Sequence, residues 1–338
     1  MKLFPRSNQP FELQLGLIIL WFILFFLLQF LAIGPMLSSL LDADLQEIAA
    51  LQEKATTWTK DSDLAPAQLQ NFVLEKAKEI KAEISTANFY YIYCSQIAYN
   101  AICFLLLGLI LRKTRFEIGS NRTFFDRRSV ILFFSLPFLL LTLLPLLGES
   151  LRFNEWLGID WISNQFGLDL NESSVGNMIF TYAVFVPENT TEMLSALLFV
   201  GLIPALGEEL FFRGTIQRLL IARFGNPHNA IFVTALVFSL MHFEVTAFFY
   251  RFFLGVVLGY LYYWGRSLWF PISLHALNNG LTVLSMYWSA TGNLKDTETL
   301  EDLEVGAYGL FLSSACVAMI LFNFYWFHRN QTRIDPED

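Results

Sequence analysis

The stretch MLSALLFVGLIPALGEELFFRGTIQRLLIAR, residues 193–223, decides how this chain is read. From Met193 to Phe212 it is an apolar run long enough to cross a membrane, yet Glu208 and Glu209 lie inside it and Arg213 follows at once. Ionisable side chains in an apolar span are expensive and mark a functional site by default. At helical spacing Glu209 and Arg213 are i and i+4, on one face and able to pair, which offsets much of that expense. Glu208 points about 100° away. Its own i+3 and i+4 neighbours are Phe211 and Phe212, so it has no cation on its helix and lies against aromatic surface, a setting suited to a general base.

The rest of the chain shares this apolar character. Of its 338 residues 55% are hydrophobic and 15% charged, against roughly 45–50% and 25% in soluble domains. Further apolar runs fall at 13–34, 89–111, 129–147, 229–244, 246–264, 268–288 and 306–327. Together they predict an all-α, polytopic integral membrane helical bundle of about eight transmembrane helices. The run at 229–244 is short, and Met178 to Val186 is a weaker additional candidate. The first run follows Lys2 and Arg6 but exceeds a signal-peptide core, so it reads as an uncleaved span. Two sizeable polar segments, 35–88 and 148–192, separate the early spans; the first has amphipathic spacing, with Pro66 opening a helix. The organisation expected is an N-terminal membrane region of three spans over 1–192, a core over 193–290, and an acidic loop, last span and tail over 291–338.

Charge gives the orientation. Lys and Arg concentrate in cytoplasmic loops, and residues 112–128 carry Arg112, Lys113, Arg115, Arg122, Arg127 and Arg128 against two acids. Alternating from that loop places both termini inside and 35–88, 148–192 and 289–305 outside. The inside segments then hold 13 basic residues against 6 acidic, and the outside segments 7 against 21. The net charge of −8 thus conceals a strongly polarised chain with no basic surface for nucleic acid. Cys94, Cys103 and Cys316 lie in apolar runs, without disulfide or zinc-knuckle spacing.

Two histidines sit in the apolar core. His242 follows Phe238-Ser239-Leu240-Met241, and His275 precedes Ala276-Leu277-Asn278-Asn279, so His275 and Asn279 share a helix face. A hairpin turning at Gly225-Asn226-Pro227 brings Glu208 and His242 to similar depth, about 21–22 Å from the turn. His275 is only about 13 Å from Arg266, so its element must enter through a non-helical stretch near Pro271, or be tilted or displaced. Singly, each histidine is compatible with a buried ring bonded to a carbonyl, and the Glu-Arg cluster with a structural ion pair. Gly255 and Gly259 permit close helix contact.

The succession Glu208-Glu209-Leu210-Phe211-Phe212-Arg213, Phe238-Ser239-Leu240-Met241-His242 and His275-Ala276-Leu277-Asn278-Asn279 resembles the CPBP (ABI, Rce1-like) family of intramembrane CaaX-type glutamic endopeptidases and bacteriocin-processing enzymes. The resemblance covers residues 193–290. It implies a membrane endopeptidase acting on a membrane-associated or lipidated (CaaX-like) protein, with Glu208 and His242 activating a water and His275 and Asn279 holding the oxyanion. Glu209 and Arg213 then support the site. The partners implied are membrane lipid and a membrane-associated or prenylated peptide. A multi-pass protein of a bacterial plasma membrane is the expectation that the compact chain and the lack of a recognisable transit peptide give. No cofactor is required, although Glu208, His242 and His275 could instead hold a divalent metal such as zinc. The family also admits a non-catalytic scaffold or bacteriocin-immunity protein. A transporter is disfavoured, since the two halves show no repeated pair of interrupted helices.

Overall fold

A computed structural model describes residues 10–58, 66–99, 104–106, 108–109, 127–157, 170–242, 247–291 and 306–334. These are helical, with no strand among them. The basic stretch 112–126 and most of the acidic segment 289–305, on which the orientation rests, lie outside the described residues, as does Cys103.

The elements follow in order. Helix α1 spans Phe11–Leu41, α2 Leu45–Thr57, α3 Pro66–Glu83 and α4 Thr86–Tyr99. Helix α5 runs through Arg127–Phe134 and Leu136–Trp156, α6 is Leu170–Phe185 and α7 is Thr190–Phe224. The last four are α8, Pro227–Leu240, α9, Phe248–Gly265, α10, Trp269–Ala290, and α11, Ala307–Ile334.

Five helical stretches are long and apolar enough to cross a membrane: Phe11–Leu41, Thr86–Leu106, Ser129–Asn154, Thr190–Phe224 and Ala307–Asn330. The other three apolar runs are occupied by α8, which is apolar but shorter, and by α9 and α10. At 18 residues α9 extends about 27 Å, close to the thickness of a bilayer core. The outward faces are apolar: Leu31 and Phe134 are three-quarters exposed, and Ile131, Phe311 and Phe322 well exposed. Patches of that kind belong against lipid rather than water. The molecule is a polytopic helical membrane protein.

Two apolar cores hold the bundle. One joins Leu136, Leu139, Leu143 and Leu147 of α5 to Leu258 and Leu261 of α9, Phe270 and Leu274 of α10 and Phe324 of α11. The other joins Ile18 and Phe25 of α1 to Phe211, Phe212, Ile216 and Leu220 of α7 and Phe238 of α8. The hairpin between α7 and α8 turns where its residues require. Gly225 takes the left-handed conformation at φ 63°, which glycine adopts without strain. The Asn226 side chain then accepts from the backbone N–H of His228 and Asn229, and Pro227 occupies the first turn, where no N–H is needed.

Two features differ from expectation. Helix α7 is not a uniform α-helix: π turns at Leu197–Leu202 and Phe212–Gln217 flank the regular segment Ile203–Phe211. Pro204 lies just beyond the first, and a ring without an N–H releases a carbonyl four residues earlier, which a wider turn accommodates. The polar segments are also not independent. Leu51 and Ala55 of α2, Val73, Ala77 and Ile80 of α3, and Ile179 and Ala183 of α6 form one small core. The weak span candidate at Met178 to Val186 therefore belongs largely to a helix of this cap rather than to a separate membrane crossing.

Candidate active site

The regular segment of α7 carries Glu208 and Glu209 between the two π turns. Both are buried, at 8% and 0% exposure, and Arg213 is at 0%. The expected i, i+4 pair forms: Arg213 Nη1 donates to Glu209 Oε1 at 2.8 Å. Arg213 Nη2 also donates to the Gly255 carbonyl on α9 at 2.9 Å, and the guanidinium lies 4.8 Å from the ring centre of Phe238 on α8. This buried cation is thus held by a carboxylate, a carbonyl and an aromatic face, each offsetting its desolvation.

One turn further along α7, buried Gln217 donates to the Gly259 carbonyl at 3.0 Å. Arg213 and Gln217 match Gly255 and Gly259 at the same i, i+4 interval, so α7 and α9 run parallel here in a fixed register. Close approach depends on the glycines. A Cβ at Gly259 would stand 2.7 Å from Ile231 Cγ2 and 3.0 Å from Gln217 Oε1.

The catalytic candidates arrive from three elements. His275 on α10 is buried, at 4%. Its Nδ1 lies 2.9 Å from Glu209 Oε1 and its Nε2 3.7 Å from Glu208 Oε2. A carboxylate only accepts, so the first contact is an Nδ1–H donating to Glu209. The second exceeds hydrogen-bond length, and Glu208 Oε2 has no hydrogen-bond partner. His242 lies two residues beyond the end of α8 and is exposed. Its Nδ1 stands 2.7 Å from the Phe238 carbonyl oxygen, to which an Nδ1–H donates, and Glu208 and His275 are within electrostatic reach. Asn279, one turn after His275, is half-buried.

Glu208, Glu209, Arg213 and His275 therefore form one buried cluster, with His242 at its open edge. The element bearing His275 enters without the non-helical stretch considered near Pro271: α10 is helical from Trp269, and Pro271 falls in its first turn, where a missing N–H leaves no bond unmade.

Several participants had no role assigned from the sequence. Phe238 is buried, with ring centres 4.8 Å from His242, 5.8 Å from His275 and 5.1 Å from Phe212. The buried amide of Asn278, not Asn279, accepts from Tyr250 Oη at 2.9 Å. Gln217 had a legible signal: Glu209, Arg213 and Gln217 repeat every four residues, as do Gly255 and Gly259. Among the described residues no three of His, Cys, Asp and Glu converge as a metal-holding set.

Chemically, the cluster offers a carboxylate whose Oε2 makes no hydrogen bond and two imidazoles, with the Asn279 carboxamide one helical turn from His275, the kinds of group that water activation and oxyanion binding require. Residues 190–281, which contain all of them, match the family model described as type II CAAX prenyl endopeptidase Rce1-like. No curated protein and no solved structure matches the chain.

Proposed function

We propose that this chain is an intramembrane endopeptidase that hydrolyses a peptide bond in a membrane-associated or lipidated, CaaX-like protein. The observation that carries the reading is the buried approach of Glu208 and Glu209 to His275, with exposed His242 beside them. In this reading Glu208, whose Oε2 has no other partner, takes a proton from a water that His242 helps to orient. His275 and Asn279 then donate to the tetrahedral oxyanion, and one such donor contributes about 3–4 kcal/mol to the transition state. Glu209 and Arg213 hold the assembly, and no cofactor takes part. The alternative in which Glu208, His242 and His275 bind a divalent ion such as zinc makes activity sensitive to chelation.

The same proposal places residues 193–290 as the catalytic core, both termini and the Gly225 turn in the cytoplasm, and the cap on the outer face of a bacterial plasma membrane. The decisive experiment is cleavage of a panel of prenylated peptides by purified protein, with and without a chelator. Wild type should cleave at least one peptide with chelator present, whereas Glu208→Gln and His242→Ala should express normally and lose turnover. Wild-type rates in both variants would overturn the assignment. Activity lost only with chelator would move it to the metal mechanism, and no cleavage of any peptide by the wild type would favour a non-catalytic scaffold.

A further inference from the structure

The second glutamate of the pair is the least explained member of the cluster, because Arg213 alone does not account for its contacts. Glu209 Oε1 receives two donors at once, Arg213 Nη1 at 2.8 Å and His275 Nδ1 at 2.9 Å. Arg213 is in turn fixed to the Gly255 carbonyl and the Phe238 face. Both donors meet the same oxygen of a carboxylate immobilised by an arginine anchored to two other helices, while its Oε2 makes no hydrogen bond.

We infer that Glu209 is a positioning residue for His275: it commits the Nδ1 proton, and so fixes which ring nitrogen faces the reacting atoms. An imidazole whose Nδ1–H is held by a carboxylate has one orientation and one tautomer, as in other carboxylate–histidine pairs. Only Nε2 then remains, and it points at Glu208 Oε2 across 3.7 Å. That spacing is too long for a direct bond and leaves Nε2 directed at the region where the proposed water and oxyanion lie. Nε2 can donate to a developing oxyanion only when the ring holds a second proton as the imidazolium, and Glu209 is the carboxylate that balances that charge. Arg213 balances Glu209 in the resting site, so the buried carboxylate does not depend on His275 alone.

This inference rests on the endopeptidase reading for its kinetic consequence but not for its geometry, and two readouts separate them. In kinetics, Glu209→Gln keeps an acceptor oxygen and removes the charge. It should lower kcat by about 10- to 100-fold with KM nearly unchanged. In a His275→Gln background the same substitution should change kcat less than about threefold, because residues acting as a unit are not additive. In spectroscopy, protein labelled with 15N-histidine has four histidines, and His275→Gln assigns one of them. The His275 ring should show a protonated Nδ1 in wild type and a redistributed pattern in Glu209→Gln. If Glu209→Gln fails to fold, Glu209→Asp, which keeps the charge at shorter reach, should show an intermediate loss by both measures. Multiplicative effects in the double variant, or a His275 pattern indifferent to position 209, would overturn the inference. A wild type that cleaves nothing would sink only the endopeptidase reading, and the nitrogen pattern would still decide the role of Glu209.

Discussion

Phe238 lies among the charged and titratable side chains of the cluster. It touches no proton and carries no charge, yet both histidine rings and the buried guanidinium lie against it. Aromatic surface of this kind restrains neighbouring rings while its negative face supports a buried cation. Phe238→Leu should therefore reduce turnover about tenfold or more, beyond its effect on stability, which large-to-small core changes place at about 1–3 kcal/mol. Phe270→Leu is the control: Phe270 is equally buried but packs on Phe324 in the other core. Steady-state kinetics beside thermal unfolding in detergent separates the two effects, and equal kinetic losses in both variants would remove Phe238 from the site. The phenylalanine was visible in the sequence only as the first position of a spacing. Its function depends on what lies across from it, on helices 25 and 37 residues away in the chain.

At the scale of elements, the unit that matters is α7 against α9. Arg213 and Gln217 donate to Gly255 and Gly259, using the second lone pair that a helical carbonyl retains. The two bonds fix how far α7 slides along α9, and with it the height of Glu209. Gly259→Ala tests this, because its Cβ would stand 2.7 Å from Ile231 Cγ2 and 3.0 Å from the Gln217 oxygen. The expected cost is about 1–3 kcal/mol in stability, accompanied by loss of activity. Gly16→Ala, whose Cβ would meet nothing within 4 Å, should leave the unfolding temperature in detergent unchanged or slightly raised. Equal unfolding temperatures for the two variants would mean that the register is held elsewhere. The sequence predicted close packing at these glycines from their small size. It did not predict that their carbonyls serve as acceptors, since helix periodicity says which residues share a face but not which helix meets that face.

In the whole molecule, the membrane bundle carries a cap with its own small core, built from α2, α3 and α6. Lys81 of α3 reaches Glu188 at 3.3 Å and Glu192 at 3.4 Å, beside the start of α7. Exposed pairs contribute about 0–1 kcal/mol each, so the cap is held mainly by its apolar contacts. Ile80 is fully buried within it. Ile80→Ala should cost about 2–5 kcal/mol locally. Amide hydrogen exchange should rise over 45–57, 66–83 and 170–185 while 203–240 keeps its protection, because units with separate cores open separately. A uniform loss of protection across the chain would show that cap and bundle unfold as one.

Composition and periodicity were sufficient for the membrane class, the helical runs, the helix start at Pro66, the turn at Gly225 and the Glu209–Arg213 pair. Each of these depends on residues within a few positions of one another, or on a sum over the chain. Tertiary structure alone decided that His275 meets Glu209, 66 residues away, that two polar segments far apart in sequence share a core, and that His242 sits beyond its helix at an exposed edge. The physical reason is that rotation, depth and tilt of an apolar helix are set by the shapes packed against it. An apolar surface in lipid carries little periodic signal of which neighbour it meets.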